Sequence, residues 1–160
     1  MDNLKPQELL VLGVKLLKEG KYWDALNAVK AAIEKAGYDI DNMPPNYLSY
    51  LGLATALAEK RYRDAAELCE KALKKEFYNP VFYLNLGRVY LAGGHKRKAV
   101  NVFNRGLSID KNHKGIIEEL NKVGVRRNPI VSFLPRKNVL NKLLGSLTHK
   151  KKKAKAKAKA

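Results

Sequence analysis

Small residues recur in this 160-residue chain at a fixed interval, and that interval constrains the fold more than any other feature. Ala65 and Ala99 are 34 residues apart, and so are Ala72 and Gly106. An interval of this size is the length of one helical hairpin unit, in which Ala and Gly let two antiparallel helices approach closely. Residues Pro80 to His113 carry the fullest alternation of large and small positions: Tyr83, Leu86, Gly87, Tyr90, Ala99, Phe103 and Gly106. Upstream, Leu51 and Gly52 go with Ala65 and Cys69, and Leu12 and Gly13 go with Ala25 and Val29. Three such copies predict an all-α array whose units bury a continuous core only by stacking on one another.

Over about residues 6 to 113 these positions resemble the tetratricopeptide repeat family, with repeats at about 6–45, 46–79 and 80–113. The resemblance implies a right-handed α-α superhelix of three helical hairpins. Two departures stand out. Ala25 and Ala65 are 40 residues apart, which places an insertion around Gly37 to Pro45, where turn formers and a proline pair cannot continue a helix. Gly52 and Gly87 are 35 residues apart, which sets the first helix of the second hairpin out of phase by one residue. Residues 114–124 follow with Ile116, Ile117, Leu120 and Val123 on one helical stripe, the pattern of a C-terminal capping helix.

In that family the first helix of each hairpin lines a concave groove, and its second, fifth, ninth, twelfth and thirteenth positions touch the ligand. The resemblance thereby implies Leu10, Val14, Leu17 and Lys18 from the first hairpin and Leu84, Arg88 and Leu91 from the third. Tyr50, Leu53 or Leu57 come from the second, the choice depending on the phase slip. The implied function is a non-catalytic protein-protein interaction adaptor whose protein partner supplies a peptide or an amphipathic helix, with Lys18 and Arg88 recognising an acidic group. One mode of the family, the carboxylate clamp that captures chaperone C-terminal tails, wants Lys and Asn where this chain has Leu10 and Val14, so chaperone-tail binding is not expected. The competing reading makes several of these leucines core residues already covered by the C-terminal segment. Replacing Leu10 and Leu84 with Glu is expected to abolish partner binding while the helices persist.

Charge is the second constraint. The chain holds 32 Lys and Arg against 15 Asp and Glu, and 12 of the basic residues fall in 126–160 with no acid among them. Pro129 and Pro135 bracket Ile130, Val131, Phe133 and Leu134 in an extended segment; Asn138 then offers an N-cap for a short amphipathic helix with Val139, Leu140, Leu143, Leu144 and Leu147 on one side. Three fates compete for that apolar face: packing on the array, insertion into an anionic membrane surface, or occupation of the array's own groove. Residues 150–160 are seven Lys with otherwise only Ala; they cannot bury apolar area, and they are predicted to be disordered. A run of this kind resembles the tails of bacterial histone-like and other nucleic-acid-associated proteins. The alternative function is therefore nucleic-acid or anionic-membrane association through Arg126, Arg127, Arg136, Lys150, Lys151, Lys152, Lys153, Lys155, Lys157 and Lys159. A solubilising tail with no dedicated partner is equally compatible with the composition.

Nothing in the chain has the pattern of an active site. His95, His113 and His149 fall in a turn, a connection and the base of the tail, each without a partner for proton transfer. Glu118 and Glu119 are adjacent rather than on one helical face and read as solvated surface, and Gly93-Gly94 reads as a hairpin turn. Cys69, the single cysteine, sits at a repeat position that packs between helices and is expected to be a buried thiol. No cofactor, metal or small-molecule substrate is expected. With no apolar run near the roughly 20 residues that span a bilayer and no secretory order at Met1 to Pro6, the expected location is the cytoplasm.

Overall fold

The computed structural model describes residues 3–124. Seven α-helices and no strands lie among the described residues: α1 (Pro6–Lys18), α2 (Tyr22–Ala36), α3 (Pro45–Ala58), α4 (Tyr62–Lys75), α5 (Pro80–Ala92), α6 (Lys96–Ile109) and α7 (Lys114–Val123). Pairs α1–α2, α3–α4 and α5–α6 form three hairpins that stack through α2–α3, α3–α5 and α4–α5, and α7 packs on α5 and α6. The expected amphipathic helix at 138–147 and the tail at 150–160 lie outside the described residues.

Each hairpin opens on a proline at the first helical position, Pro6, Pro45 or Pro80, where the missing N–H has no helical partner to lose. Local caps support two of these starts. The Glu8 carboxylate accepts the Lys5 backbone N–H at 2.7 Å, and the Asn79 side chain accepts the Val81 N–H at 3.1 Å. Counting from these prolines, Gly13, Gly52 and Gly87 all occupy the eighth position. The expected slip of the whole second-hairpin helix therefore does not occur. The additional residue lies after Gly52, making α3 14 residues long against 13 for α1 and α5. The turns that follow are all three residues long, and in the second Lys60 (φ 58°) takes the left-handed conformation that Gly20 and Gly94 (both φ 78°) adopt in the other two.

The three glycines mark where the helices of each hairpin cross. A Cβ on Gly13 would meet Val29 Cγ2 at 2.7 Å; on Gly52 it would meet the Ala65 carbonyl oxygen at 2.6 Å and Cys69 Sγ at 2.7 Å; on Gly87 it would run into the Phe103 ring. Ala25, Ala65 and Ala99 are fully buried beside these crossings, as the spacing required. Cys69 is buried with them, its thiol directed at the Ser49 carbonyl at 3.5 Å, and desolvation followed by the nearby Glu70 charge pushes its ionisation far upward.

The connections at 76–79 and 110–113 are four residues long, whereas the insertion occupies 37–44. There the Asp39 carboxylate accepts the N–H groups of Asp41 (3.0 Å) and Asn42 (2.9 Å), and Met43 tucks into the core at 2 % exposure. From the last turn of α4, Lys75 Nζ donates to the Asp41 and Met43 carbonyls at 2.7 and 2.9 Å. Helix α7 is capped at its start by His113, whose Nδ1 accepts the Ile116 N–H at 3.3 Å, and at its end by Gly124 in the left-handed conformation. His113 thus has a structural use that the sequence did not reveal. Only Ile116 and Glu119 of α7 are buried.

Candidate functional site

Helices α1, α3, α5 and α7 enclose a cavity of about 760 Å³, within the range of sites that hold a ligand segment. Nine of the ten groove residues expected from the sequence line it: Val14, Leu17, Lys18, Tyr50, Leu53, Leu57, Leu84, Arg88 and Leu91. The alternatives on α3 resolve in favour of all three. Tyr50, Leu53 and Leu57 are spaced by three and four residues, so they share one face of the helix.

Leu10 does not belong to the groove. It is 6 % exposed and packs in a core with Leu9, Val29, Met43, Tyr47 and Phe82. The cause is the insertion, which brings Met43 into this cluster. Leu84 does reach the cavity wall but is 8 % exposed and packs with Phe103 and Ile116. Replacing Leu10 and Leu84 with Glu would thus breach two cores, so the helices would not persist in that variant as the sequence suggests.

The structure adds residues that the sequence did not single out. Val81 and Ala92 occupy the second and thirteenth positions of α5, so the family counting rule could have reached them; Tyr22 and Asn85 also line the cavity. Asn85 is 2 % exposed and donates through Nδ2 to Ser49 Oγ at 3.0 Å, a buried polar link between α3 and α5 at the cavity floor. Glu119 and Lys122 come from α7. Glu119 was expected on the solvated surface; it is instead 8 % exposed, and its Oε1 accepts Arg88 Nε at 3.0 Å and Arg88 Nη2 at 2.9 Å. Lys122 Nζ approaches the same oxygen at 3.4 Å. A buried carboxylate needs such partners, and Arg88 supplies a charge-assisted one.

The cavity thus combines apolar walls with three cations, Lys18, Arg88 and Lys122, against one carboxylate, Glu119. Burial holds the Tyr50 hydroxyl above the ordinary phenol range, with the Arg88 charge acting in the opposite direction. Among the described residues no group of three or more His, Cys, Asp or Glu could hold a metal ion, and no helix is long and apolar enough to cross a membrane. The expected polyanion-binding residues, Arg126 onward, lie outside the described residues.

Comparison with known proteins bears on this geometry. The sequence model of the tetratricopeptide repeat family matches residues 56–115. No curated protein sequence matches the chain. Among solved structures, the first TPR of Spaghetti (RPAP3) bound to an HSP90 peptide is similar, at 22 % identity and a TM-score of 0.56, over 75 % of this chain and 93 % of that one. The Sgt2 TPR domain from Aspergillus fumigatus gives 18 % identity and a TM-score of 0.57, over 74 % and 76 %. The second TPR domain of human RPAP3 in complex with an HSP70 peptide gives 19 % and 0.53, over 76 % and 99 %. At these identities the likeness establishes the fold and leaves the ligand open.

Proposed function

Since this chain has the fold of tetratricopeptide repeat domains and matches that family over residues 56–115, we propose that it is a non-catalytic interaction adaptor whose groove takes an amphipathic helix or an extended apolar peptide from a protein partner. The observation that carries this reading is the cavity itself. It gathers Val14, Leu17, Leu53, Leu57 and Leu91 from three hairpins into one apolar lining, with Lys18, Arg88 and Lys122 among the lining residues. Apolar side chains of the partner occupy the wall, and an acidic group beside them meets Lys18 and Lys122. The similar domains of RPAP3 are described with HSP90 and HSP70 peptides, which supports a peptide as ligand class. Leu10 and Val14 stand where the chaperone-tail clamp wants Lys and Asn, which favours a different peptide here.

The test uses groove residues that contribute little to the core. Val14 is half-buried and belongs to none of the core clusters, and Lys18 is exposed. In affinity capture from lysate at high salt, the full chain should retain a defined protein that a Val14→Glu, Lys18→Glu variant loses, with the melting temperature nearly unchanged. Equal retention by the folded variant would exclude the groove as the docking surface.

A further inference from the structure

We propose that the outward face of α6 binds the phosphate backbone of a nucleic acid. Helix α6 carries Lys96, Arg97, Lys98 and Arg105 and no acidic residue, and all four cations are exposed. Residues 1–125 hold 20 Lys and Arg against 15 Asp and Glu, so removing these four leaves 16 against 15. Nearly the entire positive excess of the array is therefore on one helix. The equivalent helices are not like it: α2 and α4 place Asp24 and Asp64 in their first turn, where a carboxylate suits the helix dipole, and α6 places Lys98 there. Three cations in that turn oppose the dipole, so helix stability does not account for them.

None of the four is neutralised from within. Among the described residues no ion pair involves Lys96, Arg97, Lys98 or Arg105. Glu67 and Glu70 on α4, which line one pocket with Lys98, are engaged with Arg63 and with the Tyr90 hydroxyl. Two of the cations are also held in place. Lys98 Nζ lies 5.5 Å from the centre of the Tyr90 ring and the Arg105 guanidinium 5.7 Å from that of Tyr83. Both tyrosines are anchored in turn, Tyr90 to Glu70 at 2.7 Å and Tyr83 to the Phe77 carbonyl at 2.8 Å. Lys98 and Arg105 are seven residues, or roughly 10 Å, apart along the helix, with exposed Asn101 and Asn104 between them.

Arg, Lys and Asn on one surface are the side chains that contact phosphate and sugar without reading bases. A bilayer fits this face less well, because Ala99, Val102 and Phe103 are buried in the array and Ile109, at the far end of the helix from Lys96, Arg97 and Lys98, is the one exposed large apolar residue of α6. The site is independent of the groove, since no residue of α6 lines that cavity.

The test compares full chains by fluorescence anisotropy with a labelled oligouridylate over a salt series. Changing Lys96, Arg97, Lys98 and Arg105 to Gln should lower the slope of log affinity against log salt by about 3, at about 0.7 for each phosphate no longer neutralised, and weaken binding on the order of 10²-fold at 0.1 M salt. A control with Arg63, Lys71 and Lys74 changed to Gln, which discharges the neighbouring α4, should bind much as the parent does. Melting temperatures establish that both variants are folded. An unchanged slope in the folded α6 variant, or an equal loss in the α4 control, would overturn the assignment. So would an equal loss of binding to phosphatidylserine vesicles, which would replace nucleic acid with an anionic bilayer as the ligand.

Discussion

Two substitutions one helical turn apart on α1 should have very different consequences. Leu10 is 6 % exposed and sits in a core with Met43, Tyr47 and Phe82; Val14 is half-buried on the cavity wall and outside the core clusters. Replacing Leu10 with Glu removes a buried side chain, at about 2–5 kcal/mol, and leaves a carboxyl without a partner in an apolar site, at about 1–3 kcal/mol more. The middle of the combined range, about 4–6 kcal/mol, consumes much of the roughly 5–15 kcal/mol by which a domain is stable. At about 4 °C per kcal/mol for an array of this size, the melting temperature should fall by about 15–25 °C. Val14→Glu gives up a fraction of one aliphatic side chain's burial and keeps its carboxylate in water, at about 1 kcal/mol and about 4 °C. Thermal melts of the two full-length variants by far-ultraviolet circular dichroism decide the matter. If Leu10→Glu melted within about 5 °C of the parent, or Val14→Glu fell as far as Leu10→Glu, the division between core and groove on α1 would be wrong.

Three further outcomes are expected. Gly52→Ala sets a methyl against the Ala65 backbone oxygen, which cannot rotate away, and should cost about 1–3 kcal/mol in urea denaturation, more than Gly13→Ala, which meets a side-chain methyl; equal costs would refute the ranking. Lys60→Gly relieves a left-handed lysine and should raise stability by about 0.5–1 kcal/mol, an expectation that a lower urea midpoint would contradict. The Tyr90 phenol is pushed up to about 12 by desolvation and then by its bond to Glu70, so it stays neutral in the fold where an unfolded tyrosine ionises near pH 10. Its contribution to stability is therefore complete below about pH 10 and lost as pH rises towards 12; Glu70→Gln should shift its phenolate absorbance to lower pH, and an unmoved titration would exclude the hydrogen bond as a cause.

The hairpins were legible because close helix approach demands small side chains at fixed offsets, a local requirement that Gly13 with Ala25, Gly52 with Ala65 and Gly87 with Ala99 write directly into the chain. Most of the groove followed, since one face of each first helix repeats with helical periodicity. What escaped depends on contacts between segments distant in sequence. Leu10 reads as a groove residue until the insertion delivers Met43 beside it, and Glu119 reads as surface until α7 docks and presents it to Arg88. The left-handed Lys60 was hidden for a different reason: lysine carries no turn signal, and only the neighbouring hairpins, with glycine at the same place, reveal what the backbone does there.

The bonds from Lys75 to the Asp41 and Met43 carbonyls tie the loop between the first and second hairpins to the far end of α4. In a linear array each unit touches only its neighbours, and unfolding can begin at an end and peel inward. Here the connection leaving the first hairpin is held by the last turn of the second, so the first unit cannot be fully seated until α4 is. Cleavage by a protease at exposed Asp39 to Asn42 would consequently report on the seating of Lys75 at the end of α4, more than thirty residues downstream, rather than on the freedom of the loop itself.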